Sequence, residues 1–181
     1  ETTGLAKLFF NVNDDYFSVF SKNIKPIIFG RSVKEGDYYA EESIYFNENK
    51  ALFVNNLDNT TEEINVSENI QDIISAFYLF RGLPKEELLK KFSNYKIPMI
   101  YNDEGEFIFE LQYVGQETIN TYIGQKKCFV FKPILHGIGR IFRSPNAITI
   151  WVTNDEKRIP VRVKAKIVVG TIYADLVNIL K

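Results

Sequence analysis

Hydrophobic and polar residues alternate along much of this chain, and the alternation is clearest near the C-terminus. From residue 158 to residue 167 one phase is apolar and the other is cationic. The apolar positions are Ile159, Val161, Val163, Ala165 and Ile167. The cationic positions are Arg158, Arg162, Lys164 and Lys166. A period of two is typical of a strand with one buried face, so this segment is predicted to be a half-buried β-strand.

Shorter apolar runs occur along the rest of the chain, separated by turn-forming residues. The predicted strands cover residues 16–20, 26–33, 38–46, 51–55, 97–101, 106–114, 117–123, 127–132, 136–142 and 147–153. Residues 56–68 are polar and acidic and are predicted to form an exposed loop. Because the strands follow one another through local turns, the pattern favours an antiparallel meander over parallel βαβ units. We predict a mainly β fold, a single meander forming a curved, partly closed sheet (half-barrel).

One segment departs from this pattern. From Asp72 the apolar residues recur at helical spacing, and Gly82 is placed to end the helix. Pro84 suits the first turn of a second short helix, in which acidic residues come early and lysines late, as the helix dipole favours. The pattern therefore predicts one short helical segment near residues 70–92.

Gly170 interrupts the C-terminal alternation. Apolar residues occupy odd positions before it and even positions after it, for example Ile167 and Ile172. Either a β-bulge at Gly170 or a tight hairpin at Val169-Gly170 would produce this change of phase. The bulge is the preferred interpretation, because two valines before the glycine are poor turn residues.

The composition sets further limits. With 181 residues and 45% hydrophobic residues, the chain can bury the core of one domain, predicted to span residues 1–181. The net charge of −1 provides no general attraction for polyanions, so nucleic acid is not an expected partner. No apolar run approaches the ~20 residues of a membrane-spanning helix. Glu1 is not an initiator methionine, so we expect the chain to be a piece of a longer precursor.

Few residues suggest cofactor or metal chemistry. Cys128 is the one cysteine and lies in an apolar run, which is typical of a small buried side chain. His136, the one histidine, has no cysteine at ligand spacing, and Ser144 is not part of a nucleophile elbow. No phosphate-binding or dinucleotide-binding motif occurs. We therefore expect neither a metal nor a cofactor.

Two features are candidates for ligand binding. Trp151 lies on the small, polar face of its predicted strand, where it covers a second, minor core or lines a concave groove. It either packs under the helix at residues 72–81 or offers a stacking platform to a sugar or acyl chain. The cationic residues Arg158, Arg162 and Lys164, with Lys166, could bind an anionic glycan or a lipid head group. Such a row is also common on the solvated face of an amphipathic strand, where it prevents edge pairing.

Several segments together resemble the exported bacterial proteins of domain-of-unknown-function family 3108. The C-terminal matches are Ile150-Trp151-Val152, Asp155, Arg158, Pro160-Val161-Arg162, Gly170 and Leu176. Earlier matches are Val12-Asn13-Asp14, Arg31, Glu35-Gly36-Asp37-Tyr38, residues 72–81, and Gly124 with Cys128. The chain departs from the family pattern at Asn13, where the family has Arg, and at Ile73, where it has Pro.

The resemblance implies an extracytoplasmic location, in the periplasm or on the outer-membrane surface, and a precursor with a signal peptide and additional N-terminal strands. It implies no activity. Glu35 and Asp14 lie in the matching segments and are therefore the candidates for a catalytic carboxylate pair.

Three functions remain open on this basis. The first is a non-catalytic β-domain that binds an amphipathic ligand (lipid or glycan) or an envelope partner. The second is an acid/base hydrolase of the cell envelope that uses paired carboxylates. The third is a structural or assembly component, which would present a flat apolar patch at an exposed edge.

Overall fold

The structure is a computed structural model that describes residues 13–89, 96–136, 147–167 and 170–179. It is mainly β, with two short helices. The chain divides into two compact units, one comprising Glu1–Leu79 and Pro98–Glu106 and the other Phe80–Ile97 and Phe107–Lys181. The antiparallel β class and the short helical segment near residues 70–92 are confirmed. The single domain over residues 1–181 stays a prediction.

Five strands form the first sheet. They are β1 (Asp15–Phe20), β2 (Pro26–Glu35), β3 (Tyr38–Asn47), β4 (Lys50–Asn55) and β5 (Thr60–Asn65). Each strand pairs antiparallel with its neighbour in the chain, in the order β1-β2-β3-β4-β5. Short turns such as the one between β2 and β3 enforce this order, because they leave no room for a crossover.

One face of the first sheet is filled by its own core. Phe29, Ile44 and Phe53 lie side by side on β2, β3 and β4 and are almost completely buried. Ala51, Val66, Ile70 and Ile100 complete this cluster. We call this side the inner face and the opposite side the outer face. The inner face thus excludes water with the protein's own side chains.

Two helices follow the first sheet, α1 (Ile73–Gly82) and α2 (Lys85–Leu88). Asp72 caps α1, since its Oδ1 accepts the N–H groups of Ile74 and Ser75 at 2.8 and 2.9 Å. The Ser75 hydroxyl oxygen in turn accepts the N–H of Asp72 at 3.0 Å. This reciprocal arrangement satisfies donors that a helix start leaves unpaired. Neither helix is long enough to cross a membrane, and no helix in the described ranges is.

Six strands form the second sheet, in the order β11-β10-β9-β8-β7-β6. They are β6 (Lys96–Ile100), β7 (Glu106–Thr121), β8 (Gly124–His136), β9 (Ile148–Thr153), β10 (Pro160–Ile167) and β11 (Gly170–Asp175). Side chains of β8 alternate between two cores. Phe129 and Phe131 pack with Tyr113 on one face. Cys128 and Val130 pack with Trp151 and Val161 on the other, which we call the minor core.

The strands divide into two sheets where the sequence pattern predicted a single meander. The ladder that runs from β1 to β5 is interrupted by α1 and α2, and a second ladder begins at β6. Helical residues offer no extended backbone to pair with β5, so the first ladder ends before the helical segment and the second begins after it in the sequence. In the described part of the chain, the first and last strands of each sheet do not pair with each other.

Two local predictions were wrong. Residues 60–65, predicted to lie in an exposed loop, form the edge strand β5, whose side chains are exposed except for half-buried Ile64. The strands predicted at 106–114 and 117–123 are one strand, β7, with a β-bulge between Tyr113 and Gly115. Gly115 has φ +146°, which glycine adopts without strain.

The bulge preferred at Gly170 was also wrong. Ile167 pairs with Gly170, and β10 and β11 run antiparallel from that point. The phase changes there because the chain reverses direction between two strands. The strand predicted at residues 136–142 lies outside the described residues, except for His136 at the end of β8.

Candidate functional site

Asp14 and Glu35, the candidates for a catalytic pair, lie close together in the first unit. Asp14 directly precedes β1, and Glu35 ends β2. The Asn13 N–H donates to the Lys34 carbonyl at 2.9 Å, and Asp14 Oδ1 accepts the Lys34 N–H at 3.0 Å. The β1–β2 pairing therefore brings both carboxylates to the same end of the first sheet.

The two carboxylates differ in their surroundings. Partial burial and the negative charge of Asp14 raise the pKa of Glu35, although Arg31 acts in the opposite direction. A carboxyl group with a raised pKa keeps its proton to higher pH, which is what a general acid requires. Asp14 also accepts a hydrogen bond from the Tyr16 hydroxyl at 3.3 Å. The pair thus combines one carboxyl group whose pKa is raised with one that accepts hydrogen bonds.

Two tyrosines and an ion pair extend this group into what we call the polar cluster. Its members are Asp14, Glu35, Tyr16, Arg31, Glu42 and Tyr101. The hydroxyl groups of Tyr16 and Tyr101 are hydrogen-bonded at 3.2 Å, and the Arg31 guanidinium lies 4.5 Å from the centre of the Tyr101 ring. Burial and the hydrogen bond to Tyr101 raise the pKa of Tyr16, so its hydroxyl stays neutral.

Arg31 and Glu42 form an ion pair across β2 and β3. Their side chains are only 9% and 12% exposed. A buried guanidinium needs its carboxylate, because an unpaired buried charge is strongly destabilising. Arg31 is therefore committed to Glu42 and to the Tyr101 ring, and it offers little to an incoming anion.

The outer face of the first sheet carries a second feature, which the sequence analysis did not identify. Val19, Ile28, Tyr45 and Leu52 lie opposite one another on β1, β2, β3 and β4. Val19, Tyr45 and Leu52 are 49%, 44% and 40% exposed, and Ile28 is half-buried. We call this set the apolar row. Its sequence signal is that both phases of these strands contain apolar residues, as in Ile28-Phe29 and Tyr45-Phe46.

Phe17 widens the apolar row. It lies opposite Gly30 on the same face, and its ring occupies the space that a side chain at position 30 would fill. Glycine at position 30 leaves room for the ring, which would have to move if a Cβ atom stood there. More than half of the Phe17 side chain remains exposed. The exposed apolar surface therefore extends along β1 as well as across the sheet.

The outer face becomes polar towards the other end of the strands. Ser32 pairs with Glu41, and Lys34 with Tyr39, on the same side of the sheet. The Tyr39 hydroxyl donates to Glu41 at 2.9 Å, which leaves the aromatic ring about half exposed. One continuous face thus changes from apolar to charged within the length of β3.

The cationic residues that the alternation predicts to share one face, Arg158, Arg162, Lys164 and Lys166, do not all do so. Arg158 has φ 47° and turns away from the strand, because it closes the turn that Asp155 stabilises. Its Nη1 donates to the carbonyl of Arg81 at 2.8 Å and to the carbonyl of Leu83. These contacts satisfy carbonyl groups at the end of α1. Arg158 therefore binds carbonyl groups at the end of α1, and its proposed role in ligand binding stays a prediction.

Arg162 and Lys164 do lie on one face, beside a tyrosine that the sequence analysis did not identify. Tyr173 lies directly opposite Lys164 on β11. The Arg162 guanidinium and the Lys164 ammonium are each 5.7 Å from the centre of its ring. Arg162 is also bound by Asp175, whose Oδ2 accepts from Nη2 at 3.0 Å. Two cationic side chains therefore lie beside the Tyr173 ring, and Asp175 neutralises the charge of Arg162.

Trp151 packs in the minor core, with 9% of its surface exposed. Its indole N–H donates to Glu117 Oε2 at 2.8 Å. The prediction that Trp151 lies opposite the face of Ile150 and Val152 agrees with the pairing of β9, and its ring contacts Cys128 and Val130. A ring buried to this degree offers little stacking surface, so its proposed role in binding stays a prediction.

Within the described ranges, no three histidine, cysteine, aspartate or glutamate side chains are grouped so that they could hold a metal ion. The polar cluster has three carboxylates, but Glu42 is bound to Arg31. The chemistry that these residues support is therefore proton transfer or hydrogen bonding, and the outer face supports contact with apolar groups.

The chain is similar to known proteins over most of its length. A family model described as "Protein of unknown function (DUF3108)" matches residues 1–177. No curated protein matches the sequence. Among solved structures, a β-barrel-like protein of domain of unknown function DUF1849 from Brucella abortus is similar, with a TM-score of 0.58 at 8% identity. The match covers 92% of this chain and 71% of that protein, and at this identity it supports the fold alone.

Proposed function

This chain belongs to the DUF3108 family of proteins of unknown function, and from that premise we propose that it is an exported, non-catalytic β-domain that binds an amphipathic lipid on the outer face of its first sheet. The observation that carries the proposal is the apolar row, to which four adjacent strands each contribute one side chain. Soluble proteins rarely expose contiguous apolar patches without a binding partner.

The composition of the row favours an acyl chain over a sugar. Three of its four members, Val19, Ile28 and Leu52, are aliphatic, and Tyr45 is the one aromatic member. Each buried methylene group contributes about 0.8 kcal/mol, so an acyl chain that follows the row gains affinity along its length. The row crosses the strands and presents a continuous track for such a chain.

The polar end of the same face supports an amphipathic ligand. Lys34, Glu41 and Ser32 follow the apolar positions on the same side of β2 and β3. A ligand with an apolar chain and a polar head group would match both zones. The filled inner face supports an external site, since Phe29, Ile44 and Phe53 already occupy the interior of this sheet.

A fluorescent fatty acid, cis-parinaric acid, provides the test. Val19→Thr combined with Leu52→Gln makes two exposed positions polar without touching the core. We expect the double variant to bind the probe about tenfold more weakly than the unmodified protein, the equivalent of roughly two buried methylene groups. Leu57→Gln is the matched control, because Leu57 is equally exposed but lies in the turn between β4 and β5.

Equal binding by the double variant and the unmodified protein would exclude the apolar row as the site. An equal loss in Leu57→Gln would show that the effect is not local. Absence of probe binding by all three proteins would instead favour a structural or assembly role. Thermal unfolding of each variant establishes that the fold is retained.

Export is the part of the proposal that rests on the family resemblance. We expect fractionation of cells that express the full-length protein to recover it outside the cytoplasm. Recovery with the cytosolic fraction would contradict an envelope location, and it would leave the lipid-binding test unaffected.

An acid/base hydrolase is the second candidate, because Asp14 and Glu35 are neighbours and the pKa of Glu35 is raised. In this reading Glu35 donates a proton to a leaving group, and Asp14 activates water or stabilises positive charge. If a screen of envelope glycans and esters at acidic pH detects hydrolysis, Glu35→Gln and Asp14→Asn should each lower the rate by about a hundredfold or more. Unchanged rates in both variants would remove this candidate.

A further inference from the structure

The C-terminal strand pair carries a separate feature on the second sheet. Among the described strands, β11 pairs with β10 alone and forms the edge of its sheet. Large hydrophobic side chains are exposed along it and directly after it: Tyr173, Val177 and Ile179. Tyr173 is 54% exposed and Val177 is 69% exposed, so both side chains are accessible to solvent. We call this set, with Lys164 and Lys166, the C-terminal edge.

Cationic side chains flank these apolar groups. Lys164 lies opposite Tyr173 and Lys166 opposite Thr171, so both lysines emerge on the same face beside the edge strand. The ion pair with Asp175 neutralises Arg162, whereas no carboxylate among the described residues pairs with Lys164 or Lys166. Two positive charges therefore remain next to exposed aromatic and aliphatic groups.

The segment after β11 is held in place. The Leu176 N–H donates to the Val161 carbonyl at 3.0 Å, and the Leu176 side chain packs against the minor core. This contact anchors the chain at position 176 and leaves Val177 exposed immediately after it. The apolar groups of the C-terminal edge are thus presented from a fixed strand pair.

We infer that the C-terminal edge docks the protein on the surface of an anionic membrane. Lysines attract anionic lipid head groups, each contributing about 1 kcal/mol close to the surface. Tyrosine is favoured at the boundary between head groups and acyl chains, and exposed aliphatic side chains partition into that boundary. A free anion would need the lysines alone and would leave the apolar groups without a role. Charge and exposed apolar surface together favour a bilayer.

Co-sedimentation with vesicles tests this inference. The probe is equimolar phosphatidylglycerol and phosphatidylcholine, compared with phosphatidylcholine alone, at low ionic strength. We expect binding to the anionic vesicles, weak binding to the neutral ones, and loss of binding as salt is added. Lys164→Gln with Lys166→Gln should weaken binding about twenty- to thirtyfold, roughly fivefold for each lysine.

The matched control is Lys22→Gln with Lys25→Gln, which makes the same change in net charge at exposed positions of the first unit. We expect this variant to bind the anionic vesicles nearly as well as the unmodified protein. Tyr173→Ser with Val177→Ser should also weaken binding while leaving its salt dependence in place. A loss in the control equal to that of the Lys164 and Lys166 variant would overturn the inference.

Two further outcomes would also overturn it. One is failure of the unmodified protein to bind anionic vesicles. The other is dimerisation through β11, seen as a doubled mass in solution that Tyr173→Ser with Val177→Ser abolishes, without any vesicle binding. The lipid site proposed on the first sheet is tested with a soluble fatty acid and different variants, so the two results can be told apart.

Discussion

Glu35 illustrates how a single side chain can oppose folding at one pH and favour it at another. Burial and the charge of Asp14 raise its pKa above that of an unfolded chain, so the folded protein binds this proton more tightly. By linkage, the stability that Glu35 contributes is fully present below its unfolded pKa and is lost as the pH rises through the higher folded value.

Glu35→Gln should therefore be more stable than the unmodified protein at neutral pH. Glutamine resembles the protonated acid, and the gain should stay below about 1 kcal/mol because the group retains contact with solvent. The difference should disappear below about pH 4, where the glutamate is protonated in both states. Thermal unfolding across this pH range measures it, with exposed Glu62→Gln as the control. A loss of stability at every pH would contradict the stated cause.

For single residues, the sequence analysis identified candidate side chains but could not predict which groups they contact. Asp14 and Glu35 were chosen because both lie in segments that resemble the family, and the β1–β2 register brings them together. No property of either residue predicts that register across the intervening turn. Arg158 shows the opposite case, because a positive φ directs it towards α1 although its position fits the alternation of β10.

Among the elements, α1 begins where the sequence most clearly predicts a boundary. Asp72 is fully buried and accepts hydrogen bonds from two N–H groups of the first turn, while its Oδ2 accepts the Ser18 hydroxyl at 2.7 Å. The cap thus connects β1 with the helix start inside the first unit. The departure from the family pattern at Ile73 leaves these contacts intact.

Asp72→Ala should lower the free energy of unfolding by about 1–2 kcal/mol, since it removes the helix cap and leaves the Ser18 hydroxyl without its partner. Asp72→Asn keeps a capping oxygen and should cost less. Urea unfolding provides the measurement, and Asp37→Ala, in the exposed turn between β2 and β3, provides the control. Equal stability of Asp72→Ala and the unmodified protein would rule out this role for the cap.

For each element that the sequence pattern failed to predict, the structure shows a physical reason. Strand β5 lies at the edge of its sheet with nearly all of its side chains in water, so it needs no apolar alternation. The bulge in β7 shifts the phase within one strand and resembles the end of one strand and the start of another. A hairpin and a bulge at Gly170 change the phase in the same way, and only the pairing partner distinguishes them.

For the whole molecule, the order of strands was more predictable than their grouping. Local turns impose antiparallel pairing between consecutive strands, which holds in both sheets. Whether consecutive hairpins join one sheet or two depends on pairing between segments on either side of the helices. The sequence contains no periodic signal for that choice. The same limit applies to the outer face, whose apolar row exists only once four strands are in register.

The complete burial of Cys128 turns this one thiol into a natural reporter of how often the second unit opens. Its sulfur lies among Val130, Trp151 and Val161, and burial, with the charges of Asp155 and Glu117, raises its pKa. Iodoacetamide reacts with an accessible thiolate, so alkylation of the native protein should be slow and should accelerate in urea well below the unfolding midpoint. Trp151→Phe, which loses the bond to Glu117, should speed the reaction. Rapid alkylation in the absence of urea would mean that the minor core opens frequently in the native protein.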